Sequence, residues 1–272
     1  MGLRERSDRK PMSDPLSDTE LRFRVMTYNV HGFVGSDGRR DEERIARVIE
    51  ELEPDLVALQ EVTVEPDAGS GARGERLARR LNMSCHFSFT RANGAGDFGN
   101  AVLSRHACEV VAEGALPRLR GESRAVQWLR VMLRGASVHL MNTHLSIWYP
   151  ERVLQVRALL GAEWMLRAGT ELPLVVCGDF NSTRISGVHR RLQRGLRDVQ
   201  SSARWLSAST WPAAFPFLPI DHLFVSPDLT VHSRSIPDDE LVRAASDHRP
   251  LVAELGYRAR LPDKSGAIRR EP

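Results

Sequence analysis

The stretch LVVCGDFNS, residues 174–182, contains the residues on which the prediction of the fold depends. Its first four residues, Leu174 to Cys177, predict a strand that is buried on both faces. A glycine follows, and Asp179 and Asn181 come directly after it. A carboxylate at the end of a buried strand is costly unless hydrogen bonds or an opposite charge compensate it. This segment therefore predicts a polar site at the end of a core strand.

The composition of the 272-residue chain is that of a globular protein, with 42% apolar and 27% charged residues. This amount of apolar material is enough for a large core, and we expect one domain over residues 21–256. Residues 1–20 and 257–272 have the composition of disordered tails. The net charge of +3 permits an anionic substrate but does not by itself indicate nucleic-acid binding.

The three cysteines, Cys85, Cys108 and Cys177, are widely spaced and do not form a disulfide framework. Reduced thiols of this kind are typical of a cytoplasmic protein, and we expect a monomer. The first twenty residues lack the apolar segment of a signal peptide. No run approaches the roughly 18 apolar residues of a membrane span, so we expect no stable membrane insertion.

The pattern of apolar residues predicts many strands and a few amphipathic helices. Helices are predicted over residues 41–52, 74–81, 150–166 and 187–196. Asp41 is the expected N-cap of the first helix, and Pro150 is expected to open the third. Strands are predicted over residues 21–30, 55–60, 85–90, 100–104, 107–111, 125–133, 137–145, 174–180, 220–226 and 248–255. This combination indicates two packed sheets with helices outside.

Polar side chains lie at or near the ends of six of the predicted strands. They are Asn29, Glu61, His144, Asp179, Asn181, Asp221, Asp247 and His248. Strand ends in a sandwich can converge on one edge, so we expect these side chains to gather there. Carboxylate and amide oxygens are ligands that suit Mg²⁺ or Mn²⁺, and the absence of a thiolate argues against structural zinc.

Each of these residues also has an ordinary structural explanation when it is taken alone. Asn29 fits a turn, Glu61 fits an exposed strand end, and His144 fits a hydrogen-bonded core histidine. The Asp179–Asn181 segment fits an Asx turn. Position alone therefore leaves open both a metal site and a set of unrelated polar residues.

The order of seven short motifs resembles the endonuclease/exonuclease/phosphatase family. The motifs are TYNVHG (27–32), LQEV (59–62), GNAVLSR (99–105), NTHL (142–145), GDFNS (178–182), IDHLFVS (220–226) and SDHRPL (246–251). The family includes DNase I-like nucleases, tyrosyl-DNA phosphodiesterases, inositol-phosphate 5-phosphatases and neutral sphingomyelinases. The resemblance implies an α/β fold, a four-layer α/β/β/α sandwich of two mainly antiparallel sheets flanked by helices. The compact chain is most similar to small bacterial members.

The resemblance also implies roles for individual residues. Catalysis is implied for Asp179, Asn181, His248, Asp221 and His144. Metal binding is implied for Glu61, Asn29 and Asp247, and contact with the substrate phosphate for Asn100 and Asn181. In these roles Asp179 activates the attacking water and Asp221 orients His248. The implied cofactor is Mg²⁺ or Mn²⁺.

The implied activity is divalent-metal-dependent hydrolysis of a phosphodiester bond. Nucleic acid is the first choice of substrate, because the chain is basic and has arginine-rich segments. These segments are Arg39–Arg40, Arg79–Arg80 and residues 189–197. Solvated helix faces would explain the same arginines equally well.

A phospholipid or sphingolipid phosphodiesterase is the alternative prediction. The segment WPAAFPFLPI (211–220) is apolar and contains three prolines, so it is not a regular helix. Together with Trp148 and Tyr149 it would form an apolar surface that meets a lipid headgroup. An inositol-phosphate-type phosphatase also remains open, whereas the matched catalytic positions argue against a purely binding module.

Overall fold

The computed structural model describes residues 20–64, 72–90, 98–168 and 173–258. The predicted tails over 1–20 and 257–272 lie outside these residues, apart from Glu20, Tyr257 and Arg258. The described helices are α1 (Glu42–Leu52), α2 (Ala72–Arg80), α3 (Tyr149–Leu159), α4 (Met165–Ala168), α5 (Gly187–Leu192) and α6 (Glu240–Ala245). None of them is long and apolar enough to cross a membrane.

Twelve strands in the described residues form two six-stranded sheets. They are β1 (Leu21–Asn29), β2 (Leu56–Thr63), β3 (Ser84–Thr90), β4 (Phe98–Ser104), β5 (Cys108–Ala115), β6 (Ala125–Leu133), β7 (Ala136–His144), β8 (Leu174–Asp179), β9 (Arg197–Asp198), β10 (Asp221–Val225), β11 (Leu229–Ser235) and β12 (Leu251–Tyr257). The strand orders are β11-β12-β1-β2-β4-β3 and β5-β6-β7-β8-β10-β9. Pairing is parallel between β1 and β2 and between β7 and β8, and antiparallel between the other neighbours.

Three apolar clusters separate the four layers of the structure. One cluster joins α1, α2 and α6 to the outer face of the first sheet. A second fills the space between the sheets, where Val25 and Leu56 from the first sheet meet Leu140 and Val175 from the second. A third joins α3, α4 and α5 to the outer face of the second sheet. This arrangement confirms the predicted α/β/β/α sandwich.

The two parallel pairs bring the polar strand ends to one edge of the sandwich. Asn29 pairs with Gln60 at the end of β1 and β2, and His144 pairs with Asp179 at the end of β7 and β8. Antiparallel pairing of β10 with β8 places Asp221 opposite Asp179. Because parallel neighbours end on the same side, residues far apart in sequence meet at this edge.

Several predicted boundaries are wrong. The helix predicted over 150–166 ends at Leu159 and is followed by a turn before α4. The apolar spacing continues across this turn because Trp164 still packs into the same core, so periodicity did not reveal the break. The last strand begins at Leu251 rather than at His248, since Pro250 has no amide proton for the sheet. The fourth helix ends at Leu192, and β11 and α6 were not predicted.

Other local predictions are confirmed. Asp41 is the N-cap of α1, and its side chain accepts hydrogen bonds from the backbone N–H groups of Glu43 and Arg44. The strand at residues 174–179 is buried along its whole length, as its run of apolar residues predicts. The three cysteines are free thiols.

Gly178 is predicted to be important for the stability of the fold, because it lets the parallel strands β7 and β8 approach closely. Its φ is +144°, and a Cβ added there would overlap the carbonyl oxygen of Thr143. We expect Gly178→Ala to lower the free energy of unfolding by about 2–4 kcal/mol, measured by urea denaturation. Gly195→Ala is the control, since an added Cβ meets no atom within 4 Å there. Equal stability of the two variants would contradict this explanation of the glycine.

Candidate active site

A cavity of about 920 Å³ opens at the edge where the polar strand ends meet. Its lining includes five of the predicted site residues, namely Glu61, His144, Asp179, Asn181 and His248. The structure thus brings together side chains from β2, β7 and β8 and from the loops that follow β8 and precede β12.

The carboxylate of Asp179 lies at the centre of the site and is 2% exposed. Its Oδ1 accepts a hydrogen bond of 2.8 Å from the backbone N–H of Asn181. Its Oδ2 accepts one of 3.1 Å from the side-chain amide of Asn29. Burial and the neighbouring Asp221 carboxylate raise the pKa of Asp179 to about 7. The two hydrogen bonds therefore compensate the buried charge only in part.

Asn29 connects Asp179 to the second acidic residue of the cavity, Glu61. The same Asn29 nitrogen that contacts Asp179 donates to Glu61 Oε1 at 3.0 Å, and the Asn29 oxygen accepts from the N–H of His31. Glu61 has a left-handed backbone with φ 57°, at an irregularity in the pairing of β2 with β4. Such a conformation costs about 1–3 kcal/mol in a residue other than glycine and is concentrated at functional sites.

His248 forms a pair with Asp221 on the other side of Asp179. Its Nδ1 donates to Asp221 Oδ2 at 2.8 Å, and the hydroxyl of Thr210 donates to the same oxygen at 2.5 Å. Although burial opposes a charged ring, the Asp221 carboxylate raises the pKa of His248 to about 10. His248 is therefore an imidazolium at neutral pH, with its Nε2 3.7 Å from Asp179 Oδ2.

His144 differs from His248 in its protonation state. Burial and the guanidinium of Arg124 lower the pKa of His144 well below its usual value, so its ring is neutral. Its Nε2 lies 3.5 Å from Asp179 Oδ2 and its Nδ1 lies 3.9 Å from Glu61 Oε1. Arg124 itself is 5% exposed and pairs with Glu122 at 3.0 Å. The cavity therefore contains two imidazoles with different protonation states on either side of one carboxylate.

The donor set of the cavity fits a hard divalent cation. Carboxylate oxygens of Asp179 and Asp221 lie within 4.8 Å of each other, and the Glu61 carboxylate lines the same cavity. The Oδ1 atom of Asp221 is buried and has no hydrogen-bond partner. Carboxylate oxygens with unused lone pairs, in a site that compensates its negative charge only in part, are favourable ligands for Mg²⁺ or Mn²⁺.

Four predicted site residues are not among the described residues that line the cavity, namely Asn29, Asp221, Asn100 and Asp247. Asn100 is buried in β4, where its amide nitrogen is 3.4 Å from the carbonyl oxygen of Ala125. Asp247 accepts a hydrogen bond from the indole N–H of Trp211 at 3.2 Å, and its Oδ1 has no hydrogen-bond partner. The phosphate contact of Asn100 and the metal contact of Asp247 stay predictions.

A buried His–Asp–His cluster beside the site was not predicted. Asp198 Oδ2 accepts from His189 Nε2 at 2.7 Å and from His222 Nδ1 at 2.9 Å. The other nitrogen of His222 donates to the carbonyl of Ser182 at 2.7 Å. Both His222 nitrogens therefore donate, and Asp198 raises the pKa of His222 although burial opposes the charge.

This cluster is a buried ion pair that supports the loop that follows β8. Its nitrogens contact one carboxylate oxygen directly, and Ser182 is adjacent to Asn181. The ion pair therefore stabilises the turn that carries the predicted catalytic groups. Asp198 lies on the two-residue strand β9, and no periodicity in the sequence predicts its contact with β10.

Glu151 was also missed, and it holds a loop on the cavity wall. Its buried Oε2 accepts the backbone N–H groups of Leu119, Arg120 and Gly121 at 2.9–3.1 Å. The guanidinium of Arg120 lies 4.4 Å above the ring of Trp148, and both residues line the cavity. The proline-led start of α3 gave a signal for the helix but none for this loop.

The sandwich and its acidic, imidazole-containing edge are those of a phosphoester hydrolase fold. The sequence pattern of the Endonuclease/Exonuclease/phosphatase family matches residues 26–248, and the chain belongs to this family. Members of the family are hydrolases that act on phosphoester bonds and typically use divalent metal ions.

Proteins from several organisms are similar to the chain over most of its length. The chain is 29% identical over 256 residues to the uncharacterized protein YbhP of Escherichia coli K12, which covers 89% of this chain and 99% of YbhP. It is similar to an endonuclease/exonuclease/phosphatase from Beutenbergia cavernae, with 25% identity and a TM-score of 0.74 over 87% of this chain and 72% of that one. The catalytic domain of human Nocturnin has the same fold, with 22% identity and a TM-score of 0.67 over 87% and 94% of the two chains.

Removal of the central carboxylate of the His–Asp–His cluster is expected to destabilise the fold. Asp198→Ala leaves a buried imidazolium without its partner, so we expect a loss of about 3–5 kcal/mol in urea denaturation. Glu109→Ala, which removes an exposed partner of Arg130, is the control and should remain close to wild type.

The pH dependence of this stability difference follows from the two pKa shifts. The raised pKa of His222 gives stability that is lost as pH rises above about 6.5, and the lowered pKa of Asp198 gives stability that is lost as pH falls below about 4. The difference between wild type and Asp198→Ala should therefore be largest at about pH 4–6.5. A difference that does not vary with pH would contradict a buried ion pair.

Proposed function

We propose that the protein is a divalent-metal-dependent phosphodiesterase in which Asp179 is the general base. The observation that carries this proposal is the position of the Asp179 carboxylate. It is buried at the cavity floor, joined to Glu61 through Asn29, with the imidazolium of His248 3.7 Å away. A base, a cation-binding acid and a charged donor thus lie within one site.

In this proposal Glu61 would hold the metal ion, with Asn29 orienting its carboxylate. A bound Mg²⁺ or Mn²⁺ would reduce the negative charge of the scissile phosphate and stabilise the leaving oxygen. A cation near Asp179 would also favour its ionised form, which is the form required of a base. Asp247 remains a predicted further ligand, because its Oδ1 has no hydrogen-bond partner.

The remaining groups would bind the phosphate and move protons. Asp179 accepts a proton from a water molecule whose oxygen attacks phosphorus, and the bond to the leaving oxygen breaks. The His248 imidazolium donates a hydrogen bond to a phosphate oxygen as its charge grows, and Asp221 keeps the ring charged and oriented. The Asn181 amide, which donates to the Leu145 carbonyl at 3.0 Å, is held on the same wall. The neutral ring of His144 supplies polarity without adding a charge.

The arginines give less support to a nucleic-acid substrate than their sequence pattern indicated. Arg80 forms ion pairs with Glu43 and Glu50 on the helical layer of the first sheet. His189 belongs to the buried cluster, and Arg197 donates to the carbonyl of Leu229. Nucleic acid and phospholipid thus both remain proposed classes of phosphodiester, and an inositol-phosphate-type monoester is a further candidate that a substrate panel would detect.

The proposed role of Asp179 predicts a loss of activity without a loss of stability. Asp179→Asn should lower kcat for bis(p-nitrophenyl) phosphate in Mn²⁺ by at least about 10²-fold, because the base is removed. Its thermal midpoint should equal or exceed that of wild type, since a desolvated charge beside Asp221 disappears. Glu109→Gln, the same chemical change on the exposed β5 strand, should retain full activity. Near-normal turnover by Asp179→Asn would exclude the proposed base.

A further inference from the structure

The three most exposed large apolar side chains of the described residues lie on loops around the cavity. Phe215, Ile147 and Ile185 are 84%, 77% and 73% exposed. We define the apolar rim as these residues with four others that are about half exposed or more, namely Leu119, Tyr149, Leu206 and Phe217. A concentration of apolar side chains in solvent around one opening marks an interaction surface.

Contacts between neighbouring loops make one side of the apolar rim continuous. Leu119 lies on the loop that Glu151 fixes, and Arg120 of that loop stacks on Trp148. Tyr149 begins α3, and its hydroxyl oxygen is close to Gly187 at the start of α5. Ile185 lies just before that helix. The first side of the rim is therefore formed by Leu119, Tyr149 and Ile185, which lie on neighbouring loops.

Contacts of Trp205 and Trp211 position the loops on the other side of the rim. The guanidinium of Arg184 lies 5.9 Å from the ring centroid of Trp205, and the indole N–H of Trp205 donates to the carbonyl of Phe217 at 2.7 Å. Two backbone hydrogen bonds between Trp211 and Leu218 close the loop that carries Phe215. Phe215 is therefore held in solvent by a fixed loop, with no contact that buries its ring.

The rim is also strongly basic. The loops and helix starts that carry it, residues 117–124, 146–152, 181–187 and 203–218, contain six arginines and two glutamates. Of these glutamates, Glu151 is buried under three backbone N–H groups and Glu122 pairs with Arg124. Exposed apolar side chains among arginines are typical of surfaces that lie in the interface of an anionic membrane.

The chemistry of the exposed side chains favours lipid over nucleic acid. Proteins that bind single-stranded nucleic acid use aromatic rings on which bases stack. Ile147, Ile185 and Leu206 are aliphatic and offer no stacking surface, but each gains free energy when it enters the acyl region of a bilayer. Trp148, Trp205 and Trp211 lie beside them, and tryptophan is enriched where protein meets the membrane interface.

We propose that the apolar rim is a membrane-docking surface through which the enzyme reaches the phosphodiester of an anionic phospholipid. This inference rests on the proposed phosphodiesterase activity and specifies its substrate class. The rim would enter the headgroup region, so that a lipid phosphate can reach Asp179 without leaving the bilayer. The arginines would supply the attraction to the anionic headgroups.

Vesicle flotation tests the docking surface without turnover. The full chain is mixed in EDTA with phosphatidylcholine vesicles, with or without about 30 mol% phosphatidylglycerol. We expect wild type to float with the anionic vesicles, and Ile185→Ser/Phe215→Ser to lower the bound fraction by about tenfold. The matched control is Met132→Ser/Leu166→Ser. Met132 pairs with Ser137, at the other end of β7 from His144, and Leu166, 71% exposed, lies in α4.

Three results would overturn the docking surface. The first is that wild type binds neither kind of vesicle. The second is that the rim variant floats as well as wild type does. The third is that the rim variant loses binding to single-stranded DNA but keeps binding to vesicles. Hydrolysis of bis(p-nitrophenyl) phosphate by wild type in Mn²⁺ tests the activity separately. A protein that hydrolyses this soluble substrate but does not float refutes the docking surface alone, and one that floats but does not hydrolyse refutes the phosphodiesterase alone.

Discussion

The structure of the site depends on one constraint, which is that the carboxylate of Asp179 is buried at the end of a central strand. Parallel pairing with β7 brings it there, and Gly178 allows the backbone of β8 to approach that of β7. The side-chain amide of Asn29 and the backbone N–H of Asn181 donate to it, yet burial and Asp221 still raise its pKa to about 7. A divalent cation together with an acid–base role, as we propose, would account for a buried negative charge that is compensated only in part.

Much of this arrangement was predictable because it is encoded locally. The apolar run before Asp179 predicts the buried strand, and Asp41 predicts the start of α1. The order of short motifs implied the family and with it the sandwich. What the sequence did not reveal depends on contacts between distant segments. The structural role of Asp198 depends on hydrogen bonds with two histidines from other elements. That of Glu151 depends on a loop about thirty residues earlier in the chain. The break after Leu159 was hidden because the chain returns to the same core.

The substrate class depends on where charge and apolar surface lie in three dimensions rather than on their amounts. Arg80 contributes to the basic composition, but it is engaged with acidic residues of α1 and does not line the cavity. The arginines around the cavity, such as Arg120 and Arg184, stack on tryptophans of the rim. Basic side chains therefore accompany exposed apolar ones at the entrance, and this combination supports a membrane surface more than a free polyanion.

The central claim is that a divalent cation binds at the cavity edge through the Glu61 carboxylate, beside Asp179. Anomalous diffraction from crystals soaked in Mn²⁺ tests it directly, because the second buried cluster of His189, Asp198 and His222 provides an internal comparison. We expect an anomalous peak beside the Glu61 carboxylate in the cavity and none at the second cluster, where direct hydrogen bonds already join the ligand atoms. A cavity without a peak, or a peak at the second cluster alone, would contradict it.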